Sequence, residues 1–237
     1  MANKTKIEWT ECSWNPVTGC TKVSAGCQNC YAATFAKRLE AMHNPRYTNG
    51  FNVTIHEDLI TAPVKWKAPR KVFVNSMSDL FHEVLKDEII LSIFDTMNKA
   101  SWHTFQVLTK RPERLQALSN RINWTNNIWM GVSIESSDYL YRAEQLKSTN
   151  AQVKFISAEP LLSDLSGLDL NGIDWIIVGG ESGHYCRPME EEWVISLRDN
   201  AKETGVPFFF KQWGGTNKKK NGRLLEGRTY DEYPQME

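Results

Sequence analysis

Three cysteines fall in one short run, Cys20-Thr-Lys-Val-Ser-Ala-Gly-Cys27-Gln-Asn-Cys30, a C-x6-C-x2-C arrangement. Thiolates this close on a glycine-containing loop can converge on one inorganic centre, and cysteine is the usual ligand of iron–sulfur clusters. Three cysteines on a four-iron cluster leave one iron open to a small molecule, so the count itself points to chemistry rather than electron transfer alone. Zinc competes, but structural zinc takes four ligands, commonly as two close pairs. Only one C-x2-C pair is present, and Cys12 or Cys186 would have to supply the fourth ligand. A third alternative is three unrelated buried thiols. Cys12 and Cys186 singly read as small core residues. The loop runs directly into a helical pattern at Tyr31–Met42, whose N-terminal N–H groups favour an anionic cluster and its ligands.

Polar residues also recur where short apolar runs end. Val72-Phe73-Val74 leads to Asn75, Ser76 and Asp79, and Phe105–Leu108 leads to Thr109, Lys110 and Arg111. Ile128–Val132 leads to Ser133 and Glu135, and Val153–Ile156 to Ser157 and Glu159. Trp175–Val178 leads to Gly179, Gly180, Glu181 and Ser182, and Val206–Phe210 to Lys211, Gln212 and Trp213. In a parallel β/α protein the carboxyl ends of strands carry the active site. Six such endings in register would ring one mouth with acids, cations and amides. Lys110, Glu159, Glu181 and Lys211 are the expected catalytic groups. Asn75, Ser76, Asp79, Ser133, Glu135, Gly179 and Gly180 are the expected cofactor-binding groups. Any one of them taken alone is as readily a loop residue; Gly179-Gly180, for example, also suits a tight βα turn. The five histidines show no metal spacing, and His82 reads as a loop or capping residue. There is no P-loop and no G-x-G-x-x-G. Of the nine tryptophans, most read as packing and one or two as stacking surfaces for a base. The Lys218–Lys220 run is a candidate phosphate contact, although such runs usually form a solvated face.

The elements that must position these groups alternate between short apolar runs and helical patterns. Candidate strands are Val53–Ile55, Val72–Asn75, Phe105–Leu108, Ile128–Ile134, Val153–Ser157, Trp175–Val178 and Val206–Phe210, with Trp14–Gly19 as a possible eighth. Several are apolar at consecutive positions, the habit of parallel strands buried on both faces. Helices are expected at Tyr31–Met42, Asp87–Ala100, Pro112–Leu118, Asp138–Lys147 and Glu190–Thr204. Asp87 is expected as an N-cap and Gly205 as a C-terminal stop. This alternation predicts an α/β fold, a full or partial (β/α) TIM-like barrel of parallel strands, with a doubly wound open sheet as the alternative. Residues 1–213 are expected to form the barrel domain. Residues 214–237, with Gly214-Gly215 and Asn221-Gly222, are expected to form a hairpin or flap packed on it.

Composition bounds the reading. The chain has 237 residues, with 28 Lys+Arg balanced by 28 Asp+Glu and 41% hydrophobic residues. That excludes a disordered tail, a fibre or a strongly basic coat for nucleic acid. No apolar run approaches the ~20 residues needed to span a bilayer. MANKTKIEWTE has no apolar stretch after its lysines, so it does not read as a signal peptide. A cytoplasmic protein with no membrane partner is expected, and its cysteines are expected as thiols or metal ligands rather than disulfides.

The run Trp9-Thr10 … Trp14-Asn15-Pro16-Val17-Thr18-Gly19-Cys20 … Gly26-Cys27-Gln28-Asn29-Cys30-Tyr31-Ala32 resembles a phage-associated family with a three-cysteine motif, grouped with the radical S-adenosylmethionine (SAM) proteins. Matching segments span nearly the whole chain: Phe73–His82, Leu108–Pro112, Gly131–Ser133, Ser157–Leu161, Gly179–Gly183 and Phe208–Gly214. The resemblance implies a barrel of the radical SAM type, a [4Fe-4S] cluster on Cys20, Cys27 and Cys30, and SAM at the open iron. An external electron donor would drive reductive cleavage to methionine and a 5′-deoxyadenosyl radical, which takes hydrogen from a substrate. Lys110, Arg111 or Lys211 would then hold the methionine carboxylate or a substrate phosphate. Asn75, Ser76 and Asp79 would meet the methionine amine, and Glu135, Glu159 or Glu181 an ammonium or ribose hydroxyls. The family supplies a class and not a substrate; its phage context and the basic tail favour a nucleotide or nucleic acid, and another protein is the alternative. The competing function is a non-catalytic barrel, stabilised by zinc or a cluster, that binds nucleic acid or a protein partner. The chain departs from the wider superfamily in having six residues in its first cysteine gap rather than three. Its Gly179-Gly180-Glu181 also follows a late strand, so the superfamily's methionine-binding role does not transfer to that segment.

Overall fold

The computed structural model describes residues 3–235. Seven strands run parallel: β2 (Cys12–Trp14), β5 (Lys71–Val74), β6 (Thr104–Thr109), β7 (Ile128–Ser133), β8 (Val153–Ala158), β9 (Trp175–Gly179) and β10 (Phe208–Gln212). They lie side by side in that order and curl into a half-barrel, with β1 (Asn3–Lys4) antiparallel on the outer edge of β2. Register carries the strand ends to one rim. Thr109 pairs with Val132, Ser133 with Ser157, Ala158 with Val178, and Gly179 with Gln212.

The alternation of side chains along each strand explains why whole runs are apolar. One set of residues, including Val72, Val74, Phe105, Val107, Met130, Ile156, Ile176 and Phe210, packs outward against the helices. The opposite set, Phe73, Trp129, Val153, Phe155, Trp175, Ile177 and Phe209, joins Trp9 to fill the concave side with a largely aromatic plug. Tilted or edge-on ring pairs hold that plug together, such as Trp9–Phe73 at 4.6 Å and Trp129–Trp175 at 5.8 Å between centroids.

The main helices are α1 (Tyr31–Ala41), α3 (Asp87–Lys99), α4 (Pro112–Leu118), α5 (Tyr141–Lys147) and α6 (Glu191–Thr204), with a short α2 (Glu57–Ile60) before β5. α3 buries Ile90, Ile93, Phe94 and Met97 on one stripe. α4 begins at Pro112, whose missing N–H costs nothing in a first turn. Gly205 ends α6 in a left-handed conformation.

Four expectations are corrected. Thr54–Ile55 is a strand (β4), but it pairs antiparallel with β3 (Val17–Thr18) outside the main sheet, and β2 takes the place in the parallel sheet that Val53–Ile55 was expected to hold. A two-residue antiparallel pair and a short parallel strand look alike in the β-branched triplet Val53-Thr54-Ile55. Asp87 is the first residue of α3 rather than its cap, and its carboxylate pairs with Arg114 and Arg121. The Asp138–Lys147 pattern divides into a 3-10 turn at Ser137–Tyr139 and α5. Cys12 is in the core as expected, but Cys186 is only half-buried, in the loop after β9.

Beyond β10 the chain makes a short helix, α7 (Lys218–Asn221), and returns along the sheet edge. Phe209 forms an antiparallel bridge with Asp231, Phe210 N–H donates to Tyr230 O, and Trp175 Nε1 donates to Glu232 O. Leu225 and Tyr230 are buried in the core by this return. Among the described residues no helix is long and apolar enough to cross a membrane.

Candidate active site

A cavity of about 470 Å³ opens at the carboxyl rim of the strands. Trp9 and Phe73, the top of the aromatic plug, contribute to its lining, as do Ile7 and Leu108. Cys20, Cys27 and Cys30 all line it, on the loop between β3 and α1. So do Asn75, Ser76 and Asp79 after β5, Lys110 and Arg111 after β6, Ser133, Ser157 and Glu159, Gly180 and Glu181, and Lys211. Of the residues expected from sequence, only Glu135 and Gly179 lie off the cavity wall.

Their contacts divide them into two groups. The first group holds the cysteine loop. Asp79 is buried and fully engaged: Oδ1 accepts from Phe81 N–H and Thr109 Oγ1, and Oδ2 accepts from Lys110 N–H and Arg111 Nη1. Arg111 in turn spends its guanidinium on the chain. Nε donates to Glu83, Nη2 to the carbonyl and hydroxyl of Thr21, and Nη1 to Cys20 Sγ at 3.5 Å. Glu135 is completely buried. Its Oε1 accepts from Ser24 Oγ and from Gly26 N–H, while Oε2 accepts from Arg142 Nη1 at 2.9 Å. The Arg142 guanidinium stacks on Tyr139, whose hydroxyl accepts from Ala25 N–H. Glu181 accepts from Asn29 Nδ2 and from the backbone and side chain of Arg187, and Arg187 Nη1 reaches Ala25 O at 3.0 Å. The loop is therefore gripped from the ends of β6, β7 and β9.

Gly26 shows how closely the grip fits. A Cβ there would lie 2.9 Å from Glu135 Oε1. Gly180, on the cavity wall, is also where the loop after β10 passes, since a Cβ would lie 2.1 Å from Trp213 O. Burial pushes the Cys20 thiol up to about 11, with the Asp79 charge adding to it against the pull of Arg111. Burial also works to raise Glu181, but the Arg187 bonds outweigh it and hold the carboxyl below its usual range. His82 is a loop residue, as its sequence context suggested. Nδ1 accepts from Val84 N–H, so the Nε2 proton is left to face Thr21 Oγ1 at 2.9 Å.

The second group leaves polar atoms for a ligand. Asn75 sits in left-handed backbone (φ 58°) at the end of β5, where asparagine is tolerated. Its Oδ1 accepts from Val17 N–H, while its buried Nδ2 has no partner among the described residues. Gln212 is 5% exposed, donates to Ser182 Oγ, and has an unpartnered Oε1. A buried amide left this way costs about 1–3 kcal/mol unless something meets it. Lys211 and Glu159 form an ion pair across β9, and Lys110 carries no ion pair among the described residues.

The cysteines share one cavity, yet among the described residues no three His, Cys, Asp or Glu side chains come close enough to hold one metal ion. A four-iron cluster spaces its thiolates more widely than a single ion does. Three cysteine thiols and no histidine line the cavity among the described residues, a donor type that iron–sulfur clusters take. Ser24, Tyr139, Arg142 and Arg187 were not found by sequence reasoning. They belong to no motif, and only folding brings them to the loop.

A family profile described as "Protein of unknown function (DUF5131)" matches residues 4–234. No curated protein matches the chain. Among solved structures, spore photoproduct lyase complexed with dinucleoside spore photoproduct superposes with a TM-score of 0.59 at 12% identity, covering 91% of this chain and 79% of that one. A doubly substituted spore photoproduct lyase with bound AdoMet and dinucleoside spore photoproduct superposes with a TM-score of 0.56 at 12% identity, over 90% and 79%. At that identity the likeness is one of fold.

Proposed function

We propose that the chain, which belongs to the family described as Protein of unknown function (DUF5131), is a radical SAM enzyme. In this reading Cys20, Cys27 and Cys30 hold a [4Fe-4S] cluster, and the substrate is a nucleotide or nucleic acid. The observation that carries it is the placement of all three thiols on one braced loop, at the carboxyl rim of a parallel half-barrel, facing a cavity with unpartnered buried amides. The bound AdoMet and dinucleoside of the similarly folded lyase support the choice of ligand and substrate class.

When bound, the cluster and SAM supply a one-electron cleavage that gives methionine and a 5′-deoxyadenosyl radical, the electron coming from an external donor. The chain's own residues bind and orient. Asn75 Nδ2 and the hydroxyls of Ser76, Ser133 and Ser157 offer hydrogen bonds to a polar ligand beside the loop. Lys110 offers its ammonium to a carboxylate or phosphate. Lys211 and Glu159 form an ion pair on the cavity wall and present it to the substrate end. Asp79, Glu135 and Glu181 act through the loop and not on the ligand. The aromatic plug closes the floor and keeps water from entering beneath.

Anaerobic reconstitution with iron and sulfide tests this reading. A brown protein that releases 5′-deoxyadenosine on reduction with SAM, with both properties lost in Cys27→Ala, supports it. A colourless protein overturns it. A brown protein that never cleaves SAM leaves the non-catalytic binding barrel.

A further inference from the structure

The outer face of α1 is unusual for a helix at a sheet rim. Tyr31, Phe35 and Met42 are 57%, 46% and 66% exposed, while Ala32 and Ala36 are buried against the body. At 3.6 residues per turn, positions 31, 35, 38 and 42 fall within one narrow stripe, which also contains Arg38. Tyr31 opens the stripe at the cavity itself: it follows Cys30, lines the cavity, and its hydroxyl donates to Ser76 O. Tyr185, 78% exposed, is tied to the same loop, its carbonyl held by Asn29. The face is cationic as well as aromatic. Arg38, on the stripe itself, takes part in none of the ion pairs among the described residues, Lys22 donates Nζ to Gln28 O on the exposed surface of the cysteine loop, and Glu40 is the only acid on α1.

We propose that this face, formed by α1 with Tyr185 and Lys22, is a track for a single-stranded nucleic acid that leads one nucleotide into the cavity. Exposed rings interleaved with Arg38 and flanked by Lys22 suit a strand whose bases stack while its phosphates meet Arg and Lys. The four-residue step from Tyr31 to Phe35 spans about 6 Å along the helix, leaving each ring open to its own base. An acidic protein would satisfy the cations but would have no need for separated rings. Entry of the nucleotide rests on the cavity being the reaction chamber proposed above. Binding along the face does not, and it requires neither iron nor SAM.

Fluorescence anisotropy of the full chain with a labelled 12-nucleotide single strand, as DNA and as RNA, tests the proposal. The single strand is expected to bind more tightly than the matching duplex, with affinity falling as salt rises. Phe35→Ala, at an exposed position, is expected to weaken binding about 5- to 100-fold while the circular dichroism spectrum stays unchanged. Arg38→Ala is expected to make the salt slope shallower by about 0.7, the share of one phosphate that is no longer neutralised. Absence of binding overturns the proposal. So does binding that survives Phe35→Ala and is lost when Lys218, Lys219 and Lys220 are replaced. Equally, failure to bind the strand while Phe35→Ala slows reduction by an acidic flavoprotein donor would assign the face to a redox protein. Loss of iron binding or SAM cleavage fails the function above without touching this result.

Discussion

Glu135 Oε1 accepts a hydrogen bond from Gly26 N–H at 3.2 Å, across 109 residues of sequence. The bond joins the end of β7 to the middle of the cysteine loop. The same carboxylate is tied from behind by Arg142, whose guanidinium is almost completely buried. A carboxylate placed like this cannot swing toward a ligand without leaving a buried cation alone.

Glu135→Gln therefore acts on stability before it acts on chemistry. Breaking one side of a buried pair costs about 3–5 kcal/mol, because the partner charge stays buried. In a domain of this size that corresponds to a fall in Tm of roughly 6–20 °C. Thermal unfolding followed by circular dichroism measures it, and a shift under ~2 °C would show that Arg142 finds another partner.

Gly26→Ala separates the loop from the core. The new methyl meets a carboxylate pinned by Arg142, so the loop and not the barrel must yield, at a cost of about 1–3 kcal/mol. The expected outcome is a folded protein that takes up less iron per chain on anaerobic reconstitution. Wild-type iron content would mean that the loop's position does not govern assembly.

Cys20 is predicted to be a slow nucleophile in metal-free protein. Its thiol stands at about 11 against an ordinary 9.0, so its thiolate fraction at pH 8 is roughly 100-fold below that of an unperturbed thiol. Peptide mapping after timed iodoacetamide treatment reads this directly. Alkylation of Cys20 as fast as a free thiol would contradict the buried setting beside Asp79.

Three buried histidines set a pH dependence. Burial lowers His56, His82 and His103 below their ordinary 6.5, and the positive charge of a neighbouring arginine also works against protonation at each. Their neutral forms are favoured in the folded chain, so the unfolded chain binds more protons. Stability is fully present above pH 6.5 and falls as pH drops below it, toward and through the lower folded values. Each histidine contributes a slope of up to about 1.4 kcal/mol per pH unit. Urea unfolding at pH 7.5, 6.5 and 5.5 should show the decline, and His82→Asn should flatten it. A stability that stays level over this range would place the imidazoles in contact with water.

Much of this arrangement is legible in the sequence, and the limit is physical. Strand ends could be read because an apolar run must stop where polar groups begin. Six polar endings landed on one rim because parallel strands in register bring them there. Pro112 and Gly205 marked their helix boundaries through backbone chemistry alone. Partner choice was not legible. Asp79, Glu135 and Glu181 look the same in sequence whether they face a ligand or a backbone N–H, and the difference lies in Arg111, Arg142 and Arg187, which the fold delivers from elsewhere. The strand at Thr54–Ile55 was placed in the wrong sheet because two β-branched residues carry no record of their neighbour's direction.

The two ends of the described chain lie along the two free margins of the curled sheet, β1 against β2 and residues 230–232 against β10. Each margin would otherwise offer a row of main-chain donors and acceptors to any passing strand. The closing segment thus serves as a selvedge that keeps the weave from taking on foreign thread. Trimming the chain after Gly222 should leave the three cysteines in place and yet yield a protein that scatters light on standing, as copies join margin to margin.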